Sequence, residues 1–211
     1  MAGDCREPKH NRFFAPSLAM PQLLSLQVAS ARRVQINGRS ILTAIHKQPV
    51  AGDVAVVPMG LVGDEQADLS VHGGLDKAVY AYPSEHYAFW RDARALAGVS
   101  GIDDALPWGS VGENLTLQGL LETEVWVGDV LRFSDCVLRV TQPREPCYKF
   151  NAAMGFNGAA KAMAQRACCG FYLAIVQPGH LAAGGSFELQ AGPRRLGIPE
   201  AFNAKMRKHL R

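Results

Sequence analysis

The residues best placed to do chemistry lie in Gln142-Pro143-Arg144-Glu145-Pro146-Cys147-Tyr148-Lys149-Phe150, where one cysteine sits among two prolines and two cations. Proline fixes φ, lacks an N–H and pushes the preceding residue toward extended conformations. Pro143 and Pro146 therefore keep Cys147 out of an ordinary helix or central strand and place it in a rigid loop. Arg144 and Lys149 favour the thiolate, the form that attacks carbon or binds metal. The local pattern leaves two readings open: a reactive thiol, or a buried structural cysteine of the kind common in protein interiors.

A second segment, Val71-His72-Gly73-Gly74-Leu75-Asp76-Lys77-Ala78, joins two glycines to His72, Asp76 and Lys77. Gly73-Gly74 can turn with positive φ and aim successive N–H groups at an anion. His72 and Lys77 add donors suited to a phosphate or oxyanion. The same pair of glycines is equally at home in a simple tight turn. A third segment, Gly109 to Leu117, places Glu113 and Asn114 at the entrance of a strand-like run. Glu113 could orient a lysine or histidine or accept from a heterocycle; a solvated turn carboxylate is the alternative.

The elements that must position these groups are mostly short strands. Apolar alternation or continuous apolar runs after turn residues predict strands at Leu23–Val28, Ile41–His46, Gly52–Val56, Val79–Tyr82, Asn114–Thr116, Glu124–Val127, Gly128–Phe133, Cys136–Thr141, Tyr172–Gln177 and Gly185–Leu189. Helices are predicted over Ser84–Ala97, Asn157–Cys169 and Glu200–Leu210, with Gly98 and Gly170 as stops for the first two. Many short strands with Gly, Pro and Asp turns make the chain mainly β with peripheral helices, a barrel or sandwich rather than βαβ units.

Composition agrees. At 211 residues, 48% hydrophobic and 19% charged, the chain can fill a core. No apolar run approaches a bilayer span, and the start lacks a secretory apolar stretch. Five cysteines, odd in number and without a CxxC pair, favour reduced thiols in a cytoplasm. Adjacent Cys168 and Cys169 are expected to be small apolar fillers near a helix end. The net charge of +3 is concentrated in residues 194–211, where six bases face Glu200 alone, so it describes a solvated tail and not a nucleic-acid-binding face. Residues 1–20 are expected to be a flexible extension, 21–193 the domain and 194–211 a basic helical tail.

Taken together and in order, His72-Gly73-Gly74 with Asp76-Lys77-Ala78-Val79-Tyr80, then Gly112-Glu113-Asn114-Leu115, then Pro143-Arg144 and Pro146-Cys147 resemble MOSC-domain proteins of the YiiM type, relatives of the C-terminal domain of molybdenum cofactor sulfurase. The resemblance runs from about Leu23 to Pro193. It implies a mostly antiparallel β-barrel and a ligand, the molybdenum cofactor, a pyranopterin dithiolene bearing a phosphate. On that resemblance Cys147 is the family's hallmark cysteine and ligates molybdenum as a thiolate, which suits a metal already held by sulfur. Gly73, Gly74, His72, Asp76 and Lys77 would hold anionic or polar parts of the cofactor, Arg144 and Lys149 would offset charge, and Glu113 with Asn114 would meet the pterin edge.

The activity implied is reduction of N-hydroxylated compounds, such as hydroxylaminopurines, to amines. No GxGxxG after a strand and no iron–sulfur spacing is present, so electrons are expected from a separate reductase partner. Relatives commonly continue into a small three-helix segment, whereas only one helix fits in Leu196–Arg211 here, which weakens any docking or dimer contact such helices would make and leaves a homodimer as an open expectation. The pyridoxal-phosphate-dependent domain of full sulfurases is also lacking. Two other functions stay open: a sulfur carrier with a Cys147 persulfide, and a hydrolase or transferase with Cys147 as nucleophile and His72 as base.

Overall fold

The computed structural model describes residues 20–68, 73–99 and 106–209. The expected flexible extension, apart from Met20, and His72 lie outside the described residues. Among the described residues, thirteen strands and four α-helices follow in chain order: β1 (Gln22–Val28), β2 (Arg32–Ile36), β3 (Arg39–Thr43), β4 (Gln48–Pro49), β5 (Val54–Val57), β6 (Gly60–Leu61), β7 (Val79–Pro83), α1 (Tyr87–Leu96), β8 (Leu115–Gln118), β9 (Val130–Arg132), β10 (Val137–Pro143), α2 (Tyr148–Met154), α3 (Ala159–Arg166), β11 (Phe171–Gln177), β12 (Gly179–Leu181), β13 (Glu188–Gln190) and α4 (Ile198–His209). The chain is mainly β, as the sequence predicts.

Eight strands form one sheet in the order β13-β9-β10-β11-β7-β8-β1-β4, antiparallel except for the parallel β7–β8 pair. Strands β12-β5-β6 make a second sheet, and β2-β3 an isolated hairpin. The end strands β13 and β4 do not pair with each other, so the strand pairings among the described residues do not by themselves close the barrel expected. Its edges meet at one place: the Leu23 N–H donates to the Gly185 carbonyl (2.8 Å) and the Phe187 N–H to the Pro21 carbonyl (3.1 Å), just ahead of β13. The curled sheet encloses Leu23, Leu26, Leu115, Leu117, Leu131, Leu138, Val140, Phe171 and Leu173, all essentially buried. Burial on this scale contributes roughly 1.5–3 kcal/mol per large apolar side chain, against the entropy of ordering the chain.

The helices cover the sheet. α1 follows Pro83 and a 3-10 turn at Ser84–His86, and presents buried Tyr87, Trp90 and Arg94 on one face. α2 was not foreseen. Cys147 precedes it with extended φ/ψ of −130°/173°, and the Cys147 carbonyl accepts from the Phe150 N–H (2.9 Å). The prolines thus do keep the cysteine out of the helix, but they deliver it to a helix start. The expected strand Glu124–Val127 is instead a 3-10 turn at Glu122–Glu124 and a single bridge between Trp126 and Gly197. No helix among the described residues is long and apolar enough to cross a membrane.

Candidate functional site

A cleft opens where the ends of β3, β7, β8, β10 and β11 approach one another, and Cys147 lines it. With it come Arg144, Lys149, Lys77, Asn114 and Gly112, all from the three segments singled out by sequence. The wall also holds Tyr80, which ends the glycine-rich motif, and residues the sequence did not flag: Lys47, Asp64 and Tyr172.

The loop carrying Cys147 is bent by β10. The β10–β11 register shifts between Val140 and Gln142, and a bulge of this kind re-aims the strand it interrupts. Thr141 Oγ donates at this point to the Asp76 carbonyl (2.5 Å) and contacts the Tyr172 carbonyl (3.1 Å). After Pro143 the chain turns inward. Arg144 is buried, its guanidinium 5.1 Å from the Tyr80 ring centroid and 4.6 Å from that of Phe150. Burial works against its charge, but Tyr80, Tyr172 and Cys147 outweigh that and hold its proton more firmly than usual. Its Nη1 is buried without a hydrogen-bond partner among the described residues. An unmet buried donor is costly and asks for an acceptor, such as a ligand, at that place.

Cys147 itself is half-buried, in contrast to the other described cysteines. Burial, reinforced by Asp135, pushes the Cys136 thiol up to about 12. Burial and then Glu122 push Cys168 up to about 11, and Cys169 rises for the same leading cause. Those three are inert fillers at neutral pH, which agrees with the expectation for Cys168 and Cys169.

The opposite wall is a buried polar network. Lys47 Nζ meets Asp64 Oδ1 at 2.5 Å, with side chains only 8% and 6% exposed. Asp64 Oδ1 also accepts from the Ala29 N–H (2.8 Å), and its Oδ2 accepts from Asn114 Nδ2 (2.8 Å). Asn114 Oδ1 accepts from the Tyr80 N–H (3.1 Å), so the amide joins β7 to the wall. Burial lowers the pKa of Lys47, and Asp64 opposes that shift.

Glu113, expected from the resemblance at the pterin edge, does not line the cleft. It is fully buried, and its carboxylate accepts from Tyr87 Oη, the Gly109 N–H (2.7 Å), the Val111 N–H (3.2 Å) and Thr116 Oγ (3.0 Å). Burial raises its pKa against these bonds. Its visible work is to fold the Gly109–Gly112 turn, which must pack tightly: a Cβ on Gly109 would stand 2.8 Å from the Lys47 carbonyl oxygen, and one on Gly112 2.8 Å from Ile45 Cγ1. Gly73, Gly74 and Asp76 do not line the cleft either. The Gly74 N–H donates to Gln66 Oε1 (2.7 Å), and Gly74, at φ +92°, starts the 3-10 turn Leu75–Lys77. That turn brings Lys77 over the Tyr172 ring, 5.9 Å from its centroid. Lys149 Nζ donates to the Leu42 carbonyl (3.2 Å) at the rim.

Lys47 and Asp64 were missed because nothing local marks them. They lie 17 residues apart, Lys47 just before β4 and Asp64 in the loop after β6, and meet only through the fold. An unusual buried lysine cannot be told from an exposed one in a sequence whose periodicity there is weak.

Among the described residues no three His, Cys, Asp or Glu side chains converge on a metal position. The cleft offers one thiol, four cations (Lys47, Lys77, Arg144 and Lys149) beside three carboxylates (Asp64, Glu65 and Asp68), and the rings of Tyr80 and Tyr172.

Known proteins carry the same framework. The MOSC domain family model matches residues 68–188. The chain is 35% identical over 189 residues to an uncharacterized Bacillus subtilis protein, YflK, covering 89% of this chain and 80% of that one. It is 36% identical over 159 residues to Escherichia coli protein YiiM, covering 75% of this chain and 69% of that one. The crystal structure of YiiM from Geobacillus stearothermophilus superposes with a TM-score of 0.70 at 31% identity, covering 89% of this chain and 85% of that one. With the three motif segments gathered on the framework these relatives share, the chain belongs to the MOSC domain family.

Proposed function

We propose that the Cys147 cleft binds the molybdenum cofactor and that the protein reduces N-hydroxylated compounds, hydroxylaminopurines among them, using electrons from a separate reductase. One observation carries the reading: the half-buried thiol of Cys147 shares a cleft with buried Arg144, whose Nη1 lacks a partner, and with Lys149, Lys77 and Lys47. A thiolate ligand with Arg144 and lysines in the same cleft suits a metal that arrives with its own sulfur ligands and an anionic phosphate. A fungal protein named "Reductase" from Gibberella moniliformis, 31% identical over 180 residues, gives independent support, although this chain spans only 31% of that protein.

When bound, the cofactor supplies two-electron redox chemistry for removing oxygen from an N–O bond. The chain's own residues do the rest. Cys147 would offer its sulfur to the metal, with the buried Arg144 charge acting on it and Lys149 at the rim. Tyr80 and Tyr172 give flat walls to a heterocycle. The Lys47–Asp64–Asn114 network supplies fixed dipoles at no cost of reorganisation during reaction. Reduction of a hydroxylamine consumes two electrons and two protons and yields the amine and water.

Metal analysis of protein from a host that makes the cofactor tests the reading. Near-stoichiometric molybdenum that is lost in Cys147→Ser, with N-hydroxylated base reduction lost in parallel, is the expected result. Metal-free protein bearing a Cys147 persulfide and no reductase activity would establish sulfur carriage instead.

A further inference from the structure

The C-terminal helix reaches the loop that carries Cys147 through one side chain. Lys205 Nζ lies 2.5 Å from Glu145 Oε1 and 2.8 Å from Gln142 Oε1. These two acceptors flank the Pro143-Arg144 elbow, so a single ammonium ties its two sides together. Proline at 143 and 146 removes two backbone donors from this stretch, which leaves side chains to fix it. Arg144 pins the elbow from inside, against Tyr80 and Phe150. Lys205 pins it from outside.

The helix behind Lys205 is firmly seated. Ile198 and Phe202 are fully buried and Ala201 nearly so, and Lys205 continues that stripe at helical spacing. The Ile198 N–H donates to the Val125 carbonyl (2.9 Å), the Val127 N–H to the Leu196 carbonyl (2.9 Å), and the Arg194 guanidinium stacks 4.4 Å from the Trp126 ring centroid. A tail expected from its charge to be solvated is therefore a strut between the sheet and the reactive loop.

We propose that Lys205 is a positioning residue for Cys147, holding the Gln142–Cys147 elbow through Glu145 and Gln142 so that the thiol faces the cleft. The proposal uses the reading of Cys147 as the reactive group, and its test is independent of cofactor loading. In cofactor-free protein, the alkylation rate of Cys147 by iodoacetamide is followed by mass spectrometry of its own peptide. Lys205→Glu and Glu145→Lys each place like charges at the clamp, and the rate rises roughly three- to fivefold as the elbow opens. Lys205→Arg retains the wild-type rate, and the exchanged double variant Lys205→Glu/Glu145→Lys returns to it. Melting temperatures stay close to wild type throughout, because the pair is partly exposed. A rate that does not rise in the single variants, or a double variant that remains as fast as they are, overturns the proposal. If Cys147 proves to hold no molybdenum, the alkylation result still decides the clamp; if molybdenum binds Cys147 and alkylation is unchanged, the clamp alone fails.

Discussion

Replacing Asp64 with asparagine isolates what the buried polar wall contributes. Lys47 Nζ has Asp64 as its ion-pair partner at 2.5 Å, and both side chains are almost fully removed from solvent. Breaking such a pair by removing one partner typically costs 3–5 kcal/mol, because a charge is left uncompensated. Asparagine keeps one carbonyl acceptor for the Ala29 N–H, so the lower end, about 3 kcal/mol, is expected. For a chain of this size that corresponds to a loss of about 6–12 °C in melting temperature. The pH dependence is the sharper readout. Burial already lowers the Lys47 pKa and Asp64 restrains the shift, so the variant lowers it further. A lysine whose folded pKa lies below its unfolded value binds fewer protons when folded, and stability then rises with pH between the two values. The unfolded lysine is common to both proteins, so the deficit of Asp64→Asn is full below the variant's folded Lys47 pKa and shrinks as pH rises toward the wild type's folded value, itself below the unfolded value of about 10.4. Denaturant titrations at several pH values from 7 to 10 measure it. A deficit below about 1 kcal/mol, or one independent of pH, would refute the reasoning.

Other expectations follow from the same geometry. Gly109→Ala forces a left-handed backbone on alanine and drives its Cβ into the Lys47 carbonyl; thermal melting is expected to show about 2–4 kcal/mol of lost stability. Glu113→Ala strips the acceptor from the Tyr87 and Thr116 hydroxyls and from the Gly109 and Val111 N–H groups, all buried. At roughly 1–3 kcal/mol for each unmet group, less than additively, a loss of about 3 kcal/mol or more should appear in the denaturant midpoint. Arg144→Met removes a buried charge whose Nη1 is unmet, so stability should change by no more than about 1 kcal/mol while molybdenum content falls. A variant that unfolds, or that keeps full metal, contradicts that balance.

The strand pattern was legible because half-buried strands alternate and turns punctuate them, so most of the large sheet could be located within a residue or two. Cys147, Arg144, Lys149, Lys77 and Asn114 were legible too, as reactive types in constrained or glycine-flanked settings. Strand β2 and its turn into β3 were missed, and β3 was expected at Ile41–His46, although Asn37-Gly38, with φ of 49° and 74°, is the strongest short turn signal. The hairpin's arginine-rich strands carry too little apolar alternation to announce themselves. α2 was hidden by the prolines that precede it. Glu113 illustrates the opposite failure: a carboxylate between turn residues reads as exposed, and only the fold reveals four donors closing over it. How far the sheet closes depends on which edges meet, information that no local stretch contains.

The parallel β7–β8 pair sets a kinetic order on the molecule. Its connection runs from Ser84 to Asn114 and carries α1, so the pair closes a long loop before any ladder bond rewards it. The cleft then draws on Thr43–Lys47, Asp64–Asp68, Lys77, Asn114, Arg144–Lys149 and Tyr172, which are brought together only when β11 slots between β10 and β7. Contacts of such long range form late and slowly. A chain emerging from the ribosome has no cleft until Phe171–Gln177 is out, and α4 follows later still. A ligand that bound there would stabilise the whole fold by an amount that grows with the logarithm of its concentration over its Kd.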